Sequence, residues 1–170
     1  MCGFACIVNG RPTNPGLIER VLESRGPDGR RVYESETVWM LHRRLAILDL
    51  DERSDQPFRL DDGSVLVYNG ELYNHRDFDR EVPARTTSGD TEIVAHLGDS
   101  ADAVARFRGM YAYGLHRPDG TVTLVRDRLG IKPLYIKVVG NQMMYASQLR
   151  CFTDELGGAE LSEQAVASFM

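Results

Sequence analysis

No apolar run in this sequence is long enough to span a bilayer, and no basic-then-apolar leader opens it, so neither a membrane segment nor a secretory signal is expected. A basic excess is missing too. The chain carries 20 Lys and Arg against 25 Asp and Glu, a formal net charge of −5, and no local basic stripe, which excludes the electrostatic footprint of a nucleic-acid binder. Lysine is scarce: Lys132 and Lys137 stand alone in an arginine-rich chain. Cysteine is scarce as well. Cys2, Cys6 and Cys151 form an odd set without zinc spacing, and the reducing cytoplasm expected for this chain would keep all three as thiols. Repeats, low-complexity tracts and long linkers are absent. What remains is a globular composition, 42% hydrophobic and 26% charged, over 170 residues, a length that suits one domain with a substantial core.

Short strands dominate the pattern. Phe4 to Val8 reads as a buried strand near the chain start. Asn14-Pro15 reads as an N-cap with proline in the first helical turn; Leu17, Ile18, Val21 and Leu22 mark one face, and Gly26 is placed to close that helix. Val38–Leu41 and Ala46–Leu50 read as strands flanking Arg43-Arg44. Val65–Tyr68 reads as a strand that stops at Asn69-Gly70, a turn signal. Asp90–Leu97 and Ala101–Phe107 read as helices. Met110–Leu115, Val122–Val125, Leu134–Val139 and Met143–Ala146 then form strands separated by glycine turns, which implies antiparallel hairpins. The fold class is therefore α+β, antiparallel sheets covered by helices. Leu161–Met170 reads as the start of an amphipathic helix that either docks on the domain or leads into another.

Chemistry is suggested first by position. Excision of Met1 before the small Cys2 would put a thiol and a free α-amine on one residue. That amine, with an ordinary pKa of roughly 7.7–8.0, is partly neutral near pH 7 and can take the thiol proton. By itself, Cys2 fits an inert cysteine at a strand entry at least as well.

The rest of the chain changes that balance. Met1-Cys2-Gly3-Phe4, Arg25-Gly26-Pro27-Asp28-Gly29, the stretch from His42 to Asp49, Asp55-Gln56-Pro57-Phe58, the stretch from Tyr68 to His75, Ser88-Gly89-Asp90-Thr91-Glu92, and the stretch from Arg126 to Tyr135 resemble, in order, the glutaminase domain of class II glutamine amidotransferases, specifically the asparagine synthetase type. The resemblance implies a four-layer αββα sandwich of the N-terminal nucleophile hydrolase kind, with residues 1–160 as the glutaminase domain. It implies that Cys2 is the nucleophile and that Asn69 and Gly70 supply the oxyanion hole. Arg44 would grip the α-carboxylate of L-glutamine, and Asp90 would accept its α-ammonium. Leu45, Ile47, Leu48 and Glu71 would line the same pocket. Arg25-Gly26 would belong to a loop covering the substrate, for which a rigid surface turn is a near alternative. The stretch from Arg126 to Tyr135 is expected to be structural or interfacial.

No metal or organic cofactor is expected for such a glutaminase. ATP and Mg would belong to a synthetase, either a separate subunit or a C-terminal domain missing from this chain, that receives the ammonia. Cys6 stands where the family has glycine and raises the prospect of an oxidised Cys2–Cys6 pair. Two rival functions stay open: a non-catalytic binding or regulatory module of the same fold, and an amidase acting on another amide.

Overall fold

A computed structural model describes residues 1–157 of the chain; the helix expected over Leu161–Met170 lies outside them. Two antiparallel sheets carry the fold. The first is built from β1 (Gly3–Val8), β2 (Gly29–Glu34), β3 (Val38–Arg44), β8 (Tyr135–Val139) and β9 (Gln142–Ala146), in the order β2-β3-β1-β9-β8. The second runs β4-β5-β6-β7, from β4 (Phe58–Arg59), β5 (Val65–Leu72), β6 (Gly109–His116) and β7 (Val122–Arg126). Helix α1 (Pro15–Glu23) packs on the first sheet; α2 (Thr91–Leu97) and α3 (Ala101–Arg106) sit with the core of the second.

Alternation along the strands generates three cores. In β1, Ala5 and Ile7 face α1 beside Ile18, Leu22, Trp39 and Leu41. Phe4 and Cys6 face the other way and meet Val65, Val67 and Ala112 of the opposite sheet. In β5, Leu66, Tyr68 and Leu72 turn outward to Ile93, Val94 and Phe107. The layers are therefore helix, sheet, sheet, helix, as the resemblance implied.

Local signals hold where the chain is short-range. Asn14 caps α1, its side chain accepting from Leu17 N at 3.0 Å, with Pro15 at the first helical position. The helix itself ends before Gly26, at Ser24. Two strand assignments need correction. Strand β3 continues through Arg43-Arg44, and residues 45–50 are irregular, because the chain there wraps the Arg44 guanidinium and does not pair. Strand β5 does not stop at Tyr68. Asn69 pairs with Ala112 and Gly70 with Tyr111, so the Asn-Gly pair lies inside a ladder. Glycine is required at position 70 by close approach: a Cβ there would sit 2.3 Å from Met110 O and 2.6 Å from Tyr111 Cα.

Candidate active site

The site lies where the strand faces that line the space between the sheets reach one end of the sandwich. Cys2 continues the phase of Phe4 and Cys6, Arg44 that of Val38 and Met40, and Asn69 that of Val65 and Val67. Strand phase alone thus delivers these side chains to one cleft, which Met1, Gly70, Asp90 and Lys132 also line.

Cys2 is half-buried at the entry to β1. Its sulfur accepts a hydrogen bond from Leu45 N at 3.4 Å and approaches Leu45 O at 3.7 Å. Burial pushes the thiol pKa up, while the Leu45 amide and the nearby terminal amine pull the other way. The terminal amine, that of Met1 in this chain, lies below its ordinary value because burial disfavours its charge. Arg25 and Lys132 act in the same direction.

Two donors face this cleft without partners among the described residues. Asn69 is 1% exposed, and its Nδ2 is buried with no acceptor. The second follows from the ladder. Tyr68 N donates to Gln56 Oε1 at 2.6 Å and Leu72 N to Asp90 Oδ2 at 2.7 Å, both at the edge of β5 away from β6. Alternation aims the Gly70 N–H at that same edge. Strand β4 pairs only with Val65 and Leu66, so no strand covers Gly70 there. Asn69-Gly70 reads as a turn in the sequence; here the pair lies in a strand whose neighbour ends early.

Arg44 is buried, and its four terminal N–H groups are engaged. Nη1 donates to Asp55 Oδ1 at 2.5 Å and Asp51 O at 3.0 Å; Nη2 donates to Leu48 O at 3.4 Å and to Asp49 O. The guanidinium therefore shapes the segment carrying Leu45, Ile47 and Leu48, which lines the cleft, and leaves Nε for anything further. A grip on a carboxylate by the two terminal nitrogens is not available in this arrangement. Asp90 stands at the N-cap position of α2 but makes no capping bond. Its Oδ2 accepts from Tyr68 OH and Leu72 N, each at 2.7 Å, leaving Oδ1 toward the cleft. Glu71 lines the cleft as well.

The turn after α1 is pinned. A Cβ on Gly26 would lie 2.3 Å from the Arg43 backbone, Asp28 N donates to Arg44 O at 3.0 Å, and Ala46 N donates to Asp28 Oδ2 at 2.9 Å. These contacts pack the turn against the end of β3 and the segment that follows it. Arg25 leaves Nε and Nη2 buried without partners among the described residues. Cys6 is corrected more sharply. It is wholly buried between the sheets, four residues along an extended strand from Cys2, roughly 13 Å at about 3.3 Å per residue. A disulfide needs Cα atoms within about 7 Å, so Cys2 and Cys6 cannot pair here. Lys132 is the site residue that the sequence reading left as structural. It is 2% exposed and lines the cleft, its ammonium against the Met1 sulfur. Its one signal in the sequence was rarity. Among the described residues no cluster of three or more His, Cys, Asp or Glu could hold a metal ion, and no helix is long and apolar enough to cross a membrane.

A thiol heading a central strand between two antiparallel sheets, with helices outside, defines the N-terminal nucleophile hydrolase class of fold. A solved structure of glutamine phosphoribosylpyrophosphate amidotransferase from B. subtilis shares it, with a TM-score of 0.69 over 94% of this chain and 44% of that one, at 20% identity. The family follows from sequence. The profile described as "Glutamine amidotransferase domain" matches residues 1–170, and the chain belongs to that family. Similar proteins include asparagine synthetase [glutamine-hydrolyzing] 1 of Bacillus subtilis, 29% identical over 100% of this chain. Asparagine synthetase [glutamine-hydrolyzing] 2 of Arabidopsis thaliana is 33% identical over 91%. A putative asparagine synthetase [glutamine-hydrolyzing] 2 of Methanocaldococcus jannaschii is 31% identical over 88%. The chain spans 29% of the length of the first two relatives and 34% of the third.

Proposed function

We propose that this chain is a glutaminase that uses Cys2, exposed as the first residue by loss of Met1, to release ammonia from L-glutamine. The observation that carries this is the unpartnered Asn69 Nδ2 and the edge-facing Gly70 N–H opening on the cleft that holds the Cys2 thiol. Buried donors without acceptors are costly and persist where another group completes them. Here that group is the oxyanion of a tetrahedral intermediate.

In the proposed reaction the α-amine of Cys2 takes the thiol proton as sulfur bonds to the side-chain amide carbon of glutamine. The carbonyl electrons move to oxygen, which Asn69 Nδ2 and Gly70 N stabilise. The amine then returns its proton to the leaving nitrogen, the C–N bond breaks, and ammonia departs. Water, deprotonated by the same amine, hydrolyses the thioester to glutamate and restores the thiol. Asp90 Oδ1 meets the substrate's α-ammonium, and Arg44 Nε meets its α-carboxylate. Met1 is 49% exposed and precedes a small residue, which supports its removal.

Ammonia is mostly protonated and non-nucleophilic in neutral water, so a glutaminase gains from delivering it directly. We assign residues 1–160 to the glutaminase unit and 161–170 to the passage toward an ATP- and Mg-dependent synthetase, carried on the same or another polypeptide in the cytoplasm. The test begins with mass spectrometry of the purified protein, to establish that it starts at Cys2, followed by measurement of glutamate release from L-glutamine. Activity that disappears in Cys2→Ala supports the proposal. A chain beginning at Cys2 that releases no more glutamate than Cys2→Ala is instead a binding module.

A further inference from the structure

Lys132 is held where a flexible surface lysine is not. Its N–H donates to Asp127 Oδ2 at 2.9 Å, and its C=O accepts from Arg126 Nε at 2.7 Å. The same Asp127 carboxylate accepts from Tyr111 N, Leu129 N and Ile131 N, so the whole turn is organised around one anion. The clamp fixes the backbone of a residue that is 2% exposed and whose side chain reaches the cleft. At its tip the ammonium touches the Met1 sulfur, with no carboxylate of the described residues as an ion-pair partner. Excision of Met1 takes that contact away and leaves the charge beside the new terminus.

We propose that Lys132 is a positioning residue for the Cys2 α-amine, a fixed positive charge that keeps the new terminus unprotonated and able to receive the thiol proton. This rests on the glutaminase function proposed above.

The surrounding charges leave that role to Lys132 and Arg25. Arg25, from the turn after α1, adds charge of the same sign. Asp28 in that turn, Glu71 on β5 and Asp127 in the lysine's own turn oppose it. Asp28 is engaged by Ala46 N, and Asp127 by four amides. Arg44 at the end of β3 and Asp90 at the head of α2 act on the thiol with opposite signs. With Met1 in place, the terminal amine already lies below its ordinary value, through burial first and the Arg25 and Lys132 charges after it. An amine that is neutral at lower pH extends the base's working range downward.

The experiment uses the chain starting at Cys2, as Lys132→Met and Lys132→Arg, with kcat/KM for glutamine measured across pH. Lys132→Met should move the acidic limb up by about one pH unit, a roughly tenfold loss below it, with the rate recovering on the plateau above. Lys132→Arg, which keeps the charge, should leave the limb within a few tenths of a unit of its original place. An unmoved limb, a loss equal at every pH, or an equal shift in Lys132→Arg overturns the proposal. A ¹⁵N NMR titration of the α-amine in protein labelled with ¹⁵N-cysteine reads its protonation directly and gives the same comparison without turnover. If the parent chain fails to hydrolyse glutamine, the glutaminase proposal falls, and the amine titration alone decides the role of Lys132. Should Lys132→Met not fold, Lys132→Gln takes its place.

Discussion

Asn69→Ala should separate activity from stability more cleanly than any other change in this molecule. The Asn69 side chain is buried, and its Nδ2 finds no acceptor among the described residues. A buried unpaired donor costs about 1–3 kcal/mol, so removing it relieves a penalty, while the lost packing of a small polar side chain acts in the opposite sense by a similar amount. The two nearly cancel. Net stability should change by no more than about 1 kcal/mol, a melting shift of about 2–4 °C for a domain of this size. Catalysis has no such cancellation. Loss of one oxyanion donor costs about 2.7–4 kcal/mol in the transition state, which is about 10²–10³ in kcat. The assay is glutamate formation at saturating glutamine, paired with thermal unfolding of the same preparations. A kcat loss under tenfold, or an activity loss accompanied by a stability loss beyond about 2 kcal/mol, would refute the reasoning: the first denies Asn69 the oxyanion, and the second makes its role structural.

Asp90→Ala leaves Tyr68 OH and Leu72 N, both bonded to Oδ2 at 2.7 Å, without their acceptor. Denaturant titration should show a loss of about 2–6 kcal/mol, from about 1–3 per orphaned donor, together with a raised KM for glutamine. Arg44→Lys replaces four engaged N–H groups by one ammonium. It should loosen the segment from Leu45 to Asp51, seen as faster amide exchange there and a higher KM. His42 and His116 are both buried, and burial lowers each pKa to about 4 from 6.5. The folded protein therefore binds fewer protons than the unfolded chain between those values. Stability from these two residues should be complete above about pH 6.5 and fall as pH drops toward 4, by an order of 3 kcal/mol per residue in all. Urea titrations across that range check the slope, which should diminish in His116→Gln.

Much of the architecture was legible where local chemistry and tertiary packing agree. Asn14-Pro15 begins α1 because a side-chain acceptor and a missing N–H both suit a first turn. The later hairpins were legible because glycine turns separate apolar runs. Asn69-Gly70 misled because the pair favours a turn in isolation, whereas here the ladder with Tyr111 and Ala112 continues through it, and glycine serves close approach. Residues 46–50 look like a strand by composition, but Arg44 collects their carbonyls. Strand β2 went unread since Gly29–Glu34 is mostly exposed and shows no apolar alternation. The site residues named from the sequence do converge on one cleft. Lys132 was missed because a lysine in a turn ordinarily lies in solvent, and only the fold reveals the clamp that buries it.

The brevity of β4 has a consequence beyond topology. A row of three amides along one border of β5 is filled at both ends, by Gln56 and by Asp90, and open in the middle. Two side chains thus do what a longer strand would do, except at one position. Lengthening β4 so that it reached Gly70 would complete the sheet and supply a carbonyl to that amide, making a tidier protein with Asn69 alone to meet a developing negative charge. In the proposed reaction, that gap in the hydrogen-bond pattern is the working part.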